Sequence, residues 1–555
     1  MIYLFIINYF EDDWKMKKAF SVLIAFLIVI SVFSGCKKKS NGETFIMPVS
    51  ATPESVDPQI VSSDIEKLVV ANCFEGLFRI ASNGEIENGV ASSYSVSPDG
   101  LTYTFKLRED TSWHSLSGYD KVLGEDFEKS FDFRVKAEDF VFALQRAVDP
   151  LTGCEQAKNL FAIKNARKIN LGSASPSTLG VKAVDDFTLE ITLDYNDSNF
   201  FYNLTTAAAM PCNEAFWTAT QGKYGLSVTY TLCNGPFYLS EWNDDQNVRM
   251  TKNADYSGEN EVKPYSVRLI VNNDKADVKE KVVSATYDAS FFSENQLSGA
   301  DTSLINTKPF ENTVCSLIFN CNDEVFSCPE IRKAVCLSAK TDKNKFPVNV
   351  SSIASGIVPP FCTFNNENYR LLSGKASLTE HSEKSAAENF GRGLEELGTD
   401  TVKFSVLCTS EYEETVRILI QSWQKALGIK LVASVDVKEK EELLSLVNSG
   451  NYSLAFYPLE ATEQEAKSYL LTFSSQSGKN IFNFKDEKYD ALINEAVESS
   501  EVKDLLKCEN YLLKNAVIYP VFNQNSYFVT AGDTKGIYFY SNEHNVFFIS
   551  AEREK

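Results

Sequence analysis

The sequence predicts a multidomain α/β protein, and three observations carry that prediction. A chain of 555 residues exceeds what a single hydrophobic core organises. Period-two alternation marks hairpins around Tyr94–Leu107 and Val181–Leu193. Between and after them apolar residues recur at helical spacing, as in Phe140, Leu144 and Val148, or in Val416, Ile420, Trp423 and Leu427. With 44% apolar and 12% aromatic residues, the chain has material for several cores and an apolar cleft.

At the amino end, Met16-Lys17-Lys18 precedes an apolar run from Ala19 to Phe33 and then Ser34-Gly35-Cys36. That is the basic, apolar, small-residue order of a secretory signal. The alternative is a transmembrane anchor, but the run falls short of the roughly 20 residues a span needs. Cys directly after Ser-Gly reads as a lipobox, with Phe33 where Leu is usual. Cleavage before Cys36 and a diacylglyceryl thioether on its sulfur are therefore expected. Translation is read from Met16, because the preceding stretch carries Glu11, Asp12 and Asp13. Residues 37–43 form a short polar tether.

Phe45–Ser50 is an extended run, and Ser55-Val56-Asp57-Pro58-Gln59 follows as a turn. Asp64–Phe78 reads as a helix with Glu75 as a structural carboxylate near its end. Tyr94–Val96, the turn Pro98-Asp99-Gly100, and Leu101, Tyr103, Phe105 and Leu107 make the first hairpin, with one buried face. After Trp113-His114 a charged and aromatic stretch, Ser115–Arg134, reads as a surface insertion. The helix Lys136–Val148 opens on acids and is stopped by Pro150. Val181–Val184, Asp185-Asp186 and Phe187–Leu193 form the second hairpin. Val314–Asn320 is a strand, and Pro329 starts a helix through Ser338. The stripe Val416–Leu427 is a core-facing helix ended by Gly428, Lys430–Val435 is a strand, and Lys485–Ala496 is a helix.

The net charge of −21 argues against a nucleic-acid partner and for a well-solvated monomer. Twelve cysteines leave eleven after lipidation, with no C-x-x-C among them. Cys315, Cys321, Cys328 and Cys336 are too irregularly spaced, and too far from any histidine, to read as a zinc site. Cys315 and Cys321, six apart, are expected on one strand face as small apolar groups. No metal and no cofactor is expected. None of the three histidines has a partner at metal or triad spacing, and G-x-S-x-G, Walker and H-E-x-x-H patterns are absent. Nothing in the sequence marks an enzyme, and the chain reads as a binding module.

Several segments together resemble a known family. They are Phe-Glu-Gly-Leu-Phe (74–78), Ser-Pro-Asp-Gly-Leu-Thr-Tyr-Thr-Phe-Lys-Leu-Arg-Glu-Asp (97–110), Trp-His (113–114), Lys-Ala-Glu-Asp-Phe-Val-Phe-Ala-Leu (136–144), Asn-Gly-Pro-Phe (234–237) and Val-Pro-Pro (358–360). Their order resembles the family 5 extracellular solute-binding proteins, the oligopeptide-binding lipoproteins of ABC importers. The resemblance covers about residues 45–545.

It implies a periplasmic-binding-protein type II-like α/β fold, with two lobes and an extra subdomain in a three-domain arrangement. Residues 1–35 are then the signal peptide, and residues 36–43 the lipidated Cys and tether. Domain I is discontinuous, comprising 44–85, 196–316 and 522–555; domain II is 86–195 and domain III is 317–521. A ligand between domains I and III, hinge closure, an extracytoplasmic lipid-anchored location and delivery to ABC permease subunits follow from the resemblance. Such a site holds an extended peptide by its main chain.

Matching residue by residue, the family's Gly-Trp-x-Ala-Asp falls on Pro458, Leu459, Glu460, Ala461 and Thr462, after Tyr457. Thr462 cannot neutralise the peptide ammonium that the family's Asp pairs. Either Glu460 takes that duty or the ligand is not held by a free amine. Gln156, Phe522 and Asn523 match other cleft-lining segments. Within the same fold, a dipeptide, a sugar oligomer, a metal chelate or haem is the competing ligand, and a sensor is the competing role. An exported hydrolase is the reading furthest from these residues.

Overall fold

The computed structural model describes residues 43–114, 124, 131–197, 199–365, 367–461, 465–477, 480, 484–499, 501–540 and 545–554. The leader, Cys36, Thr462 and nearly all of the insertion after His114 lie outside the described residues. No described helix is long and apolar enough to cross a membrane.

In chain order, β1 (Thr44–Val49) leads to helix α1 (Asp64–Cys73) and the short hairpin β2 (Phe78–Ile80) and β3 (Ile86–Asn88). The first predicted hairpin is β4 (Ala91–Val96) and β5 (Thr102–Leu107), followed by α2 (Ala137–Val148). The second is β6 (Val181–Asp185) and β7 (Thr188–Thr192). Then come β8 (Phe237–Asn243), β9 (Asn247–Lys252), β10 (Ser266–Val271), β11 (Ala289–Ser293) and the long β12 (Ile305–Phe319). Beyond it lie α3 (Pro329–Ser338), β13 (Ser352–Ile353), β14 (Thr363–Phe364), β15 (Glu367–Asn368) and α4 (Glu383–Leu397). The chain continues through β16 (Val402–Cys408), α5 (Glu413–Leu427), β17 (Leu431–Val437) and β18 (Leu454–Glu460). Helices α6 (Glu487–Glu498) and α7 (Val502–Lys514) precede β19 (Ile518–Ala531).

These strands form three principal sheets. One has the order β1-β10-β9-β8, with β1 parallel to β10, and a second the order β4-β5-β7-β6. One apolar cluster joins them, running from Phe45 and Leu68 through Phe105, Phe140 and Ile191 to Phe548. The third sheet, β11-β19-β12-β18-β16-β17, carries a cluster on each face. Alternation along β12 sends Cys315, Leu317 and Phe319 to one face and Ile318 to the other.

β12 and β19 pair along nearly their whole lengths, from Ile305↔Ala531 to Ile318↔Ile518. The register slips between Phe310 and Thr313, where Glu311 and Asn312 together oppose Asn525. That extra residue is a bulge, which bends the ladder and increases its twist. Exposure changes there as well: Asn306–Pro309 are exposed, whereas the strand is buried from Asn312 onward.

Three expectations are corrected. The first helix ends at Cys73, not Phe78, because Asn234 takes over the backbone beyond it: its Oδ1 accepts from Glu75 N (3.0 Å) and its Nδ2 donates to Glu75 O (2.8 Å). Glu75 itself is buried, bound by Arg108 Nη2 (2.9 Å) and the Tyr256 hydroxyl. The strand expected at Val314–Asn320 extends back to Ile305. Cys321 lies past the end of β12 and packs on the opposite face from Cys315, so the two do not share a strand face.

Asp139 shows how α2 is held. Its carboxylate accepts from Lys136 N (2.9 Å), Trp113 Nε1 (3.2 Å) and Asn213 Nδ2 (2.9 Å). Burial pushes Asp139 up to about 7, against the pull of those three donors. The folded value thus lies above the ordinary 3.8. Its contribution to stability is fully present below about pH 4, fades as pH rises to about 7, and is flat above. Thermal melts across pH 4–8 are expected to lose this component in Asp139→Asn. The variant should also be about 1–3 kcal/mol less stable, because an amide cannot accept from all three donors.

Candidate functional site

The predicted site segment is β18, which lies between β12 and β16 in the long sheet. Its antiparallel ladder with β12 runs from Phe319↔Leu454 to Thr313↔Glu460. The parallel ladder with β16 covers only Val406↔Leu454 and Leu407↔Ala455. From Tyr457 to Glu460, β18 therefore has a strand neighbour on one side only among the described residues.

The register defines what that open edge presents. Ala461 N donates to Asn312 O (2.8 Å), so 461/312 is a hydrogen-bonded pair, and bonded pairs alternate with non-bonded ones. Leu459 and Tyr457 thus bond inward to β12, whereas Pro458 and Glu460 direct their main-chain groups outward. Proline lacks an N–H, and on this side no ladder requires one. The edge offers the Pro458 carbonyl and both main-chain groups of Glu460.

The predicted residues are not equivalent. Glu460 is exposed, and its Oε1 accepts from Asn312 Nδ2 (2.8 Å) at the bulge of β12. Tyr457 and Pro458 are half-buried, and the Tyr457 phenol is raised by burial first and by the Glu460 carboxylate second. The Leu459 side chain is committed to the core at 7% exposure. Phe522 is fully buried, its ring 5.2 Å from that of Phe346 and 5.9 Å from that of Phe456, and its strand is paired there with β12 on one side and β13 on the other, so it does not face a ligand. Asn523 is buried and donates from Nδ2 to Ser352 Oγ (2.8 Å). Gln156 is buried and accepts from Ala208 N (3.2 Å). Two residues on, Lys158 Nζ donates to Ser468 Oγ (3.1 Å), which joins the neighbourhood of Gln156 to the segment after β18.

Sequence reasoning missed what braces this region. The loop leading to β14 passes the bulge, where Phe361 N donates to Glu311 O (3.0 Å) and the Phe361 and Phe310 rings lie 5.8 Å apart. That loop is held by Glu509 of α7, which is fully buried. Its carboxylate accepts from Ile357 N (2.7 Å), Val358 N (3.1 Å), the Tyr369 hydroxyl (3.1 Å), and Arg370 Nη1 (3.1 Å) and Nη2 (2.6 Å). Both oxygens are satisfied, the condition under which a buried ion pair is tolerated. The partners lie 139 residues apart, so no local pattern announces them. Among the described residues no group of His, Cys, Asp and Glu could hold a metal ion. Eleven cysteines, from Cys73 to Cys508, are free thiols, most of them buried. Cys315 is one of these, within hydrogen-bonding reach of Gln524 Oε1 (3.2 Å).

Comparison with known proteins bears on the family and the fold. A family model described as bacterial extracellular solute-binding proteins, family 5 middle, matches residues 85–481. The oligopeptide-binding protein OppA of Bacillus subtilis is 26% identical over 564 residues, covering 94% of this chain and 97% of that one. The dipeptide-binding protein DppE of the same organism is 25% identical over 520 residues, covering 90% of each chain. Listeria monocytogenes OppA bound to peptide superposes with a TM-score of 0.71 at 24% identity, over 93% of this chain and 100% of that one. The fold is the type II periplasmic-binding-protein architecture: two lobes with an extra subdomain.

The Glu509 brace yields a test. A Cβ on Gly356 would lie 2.2 Å from both Arg370 Nη2 and Glu509 Oε1. Gly356→Ala is expected to break the cluster and destabilise the protein by about 2–4 kcal/mol, as measured by urea unfolding. An exposed control, Gly391→Ala, has nothing within 4 Å of the added carbon and should be neutral or slightly stabilising.

Proposed function

Because the chain belongs to the bacterial extracellular solute-binding proteins of family 5, we propose that it captures oligopeptides between two lobes and delivers them to an ABC importer. The open edge of β18 at residues 457–460 carries this reading. An extended peptide adds to such an edge as a strand, so main-chain bonds supply affinity without reading sequence. In this reading Glu460, oriented by Asn312, pairs the peptide ammonium in place of the family's Asp. The bulge at Glu311–Asn312 is the hinge at which the lobes close. The division is into domain I (44–85, 196–316 and 522–555), domain II (86–195) and domain III (317–521); the sheet of β1, β8, β9 and β10 supports the first and that of β4–β7 the second, whereas the third sheet is shared by domains I and III. The last two boundaries cut through β12 and β19.

The same proposal makes the protein a monomer that catalyses no reaction and takes no cofactor. It is carried outside the cell and held at the membrane by a diacylglyceryl group on Cys36. The basic, apolar and Ser-Gly-Cys order of residues 16–36 supports that anchor.

Two measurements test the function. Native mass spectrometry of the protein purified from a mixture of peptides and other solutes is expected to show retained peptides. Retention of a sugar, a metal chelate or haem alone would overturn the reading. By calorimetry, Glu460→Gln is expected to weaken peptides with a free amine by about five- to tenfold and to leave their N-acetylated forms unchanged. Equal dissociation constants for the free amine in both proteins would remove Glu460 from the site.

A further inference from the structure

The end of α1 and the approach to β8 lie against each other. Gly235 N donates to Cys73 O at 2.9 Å, and from the same segment the Asn234 side chain holds both main-chain groups of Glu75. The two backbones are so close that a Cβ on Gly235 would stand 2.6 Å from the Cys73 carbonyl carbon and from Phe74 N. Only glycine fits there.

Two thiols meet at this crossing. Cys73 is the last residue of α1, and Cys233 stands two positions before Gly235. Both are buried, at 0% and 2% exposure, in the apolar cluster that joins the first two sheets. Their side chains are hydrogen-bonded to each other, and the Cys73 thiol is pushed well above its usual range by burial first and by that bond second. The backbone is held on both sides: Phe74 N donates to Val70 O (2.9 Å), and His114 N to Cys233 O (2.7 Å). Other thiols have different partners. Cys212 lies 3.4 Å from Arg146 Nη1, and Cys315 lies against Gln524.

Cysteines whose Cβ vectors point apart cannot be bridged without moving the backbone, but thiols that already touch point together. The two residues are about 160 positions apart in sequence, so a bond between them closes a long loop and restricts the unfolded chain strongly. We propose that Cys73 and Cys233 are an oxidisable pair that closes into a disulfide when the chain folds in the presence of a soluble disulfide. The inference is independent of what the protein binds.

The chemistry balances as thiol–disulfide exchange. One protein thiolate attacks a sulfur of the soluble disulfide and expels a thiol, and the second protein thiolate then displaces the other half. Two protein S–H bonds and the oxidant's S–S bond are exchanged for one protein S–S bond and two S–H bonds on the released thiols. The protein sulfurs lose two electrons, which the oxidant gains. Because the folded core encloses both thiols, the exchange takes place while the chain folds.

The test is peptide mapping. The protein is refolded from urea with oxidised and reduced glutathione, unfolded again, alkylated with iodoacetamide and digested without reduction. Mass spectrometry is expected to find the Cys73 peptide joined to the Cys233 peptide, with Cys212 and Cys315 alkylated. On a non-reducing denaturing gel the oxidised chain should run ahead of the reduced one, because the long loop stays closed. Cys233→Ser should lose both signals, and Cys315→Ala should keep them. The oxidised form should also melt several degrees above the reduced form. Recovery of Cys73 and Cys233 as separate alkylated peptides from the wild-type protein would overturn the pair, with no variant needed. Cross-links of either residue to a different cysteine would overturn it as well.

Discussion

The structure depends on the pairing of β12 with β19. These two strands are the long members of the large sheet, and both run from the exposed region around Lys308 into the core around Leu317 and Val521. Rigid pairing alone would weld the two ends into one body. Two irregularities interrupt the ladder: Val521 is an extra residue on β19 between the Cys315 and Ser316 registers, and β12 carries its own at Glu311–Asn312. The groups that touch a guest in the proposed function sit close to it: Asn312 orients Glu460, and Phe361 meets Glu311. In the proposed function, bending at the bulge moves the site and the lobes together, and no separate relay is required.

Polar anchoring elsewhere follows one rule, that a buried charge is kept where every lone pair has a donor. Glu509 meets that rule with two backbone amides, a phenol and a guanidinium. Arg146 meets it from the other sign, bidentate on Asp57 at 2.6 and 3.2 Å, with its guanidinium 5.0 Å from the Trp217 ring. Each cluster ties a loop to a helix far away in sequence. Each removes freedom from the loop it holds, and the loop held by Glu509 in turn bonds the β12 bulge through Phe361 N and Glu311 O. Burial raises thiols such as Cys315 well above their usual range, so these groups act as small apolar side chains rather than nucleophiles.

How much of this was legible follows from whether the determinant is local. The hairpins and helices were readable because alternation, stripes and stop residues lie within a dozen positions: β5, β7 and α2 fall within a residue or two of expectation, and α5 ends at Leu427 as expected but begins three residues before Val416. The end of α1 was not, because Asn234 captures Glu75 from 159 residues away. The first half of β12 was hidden because Asn306–Pro309 are exposed and include a proline, so neither burial nor propensity marks a strand there. At the site, the resemblance led to the right strand but not to the division of labour along it. Register turns Leu459 inward, and packing encloses Phe522. Asn312 and Arg370 carried no motif, since their roles exist only once distant strands and loops have met.

An open strand edge is a hazard as well as a binding site, since it recruits any other edge, including that of a second copy. Two residues of β18 limit this. Pro458 faces outward without an N–H, and the carboxylate of Glu460 repels the edges of an acidic protein. Both devices also act on the guest. A peptide laid along residues 457–460 finds an acceptor at Pro458 but no donor, so it forms one main-chain bond fewer there than it would with glycine at that position. The edge is made selective against other strands by weakening it for peptides too. A receptor built this way needs attachment points beyond the ladder, and the Glu460 carboxylate, oriented by Asn312, is suited to supply one.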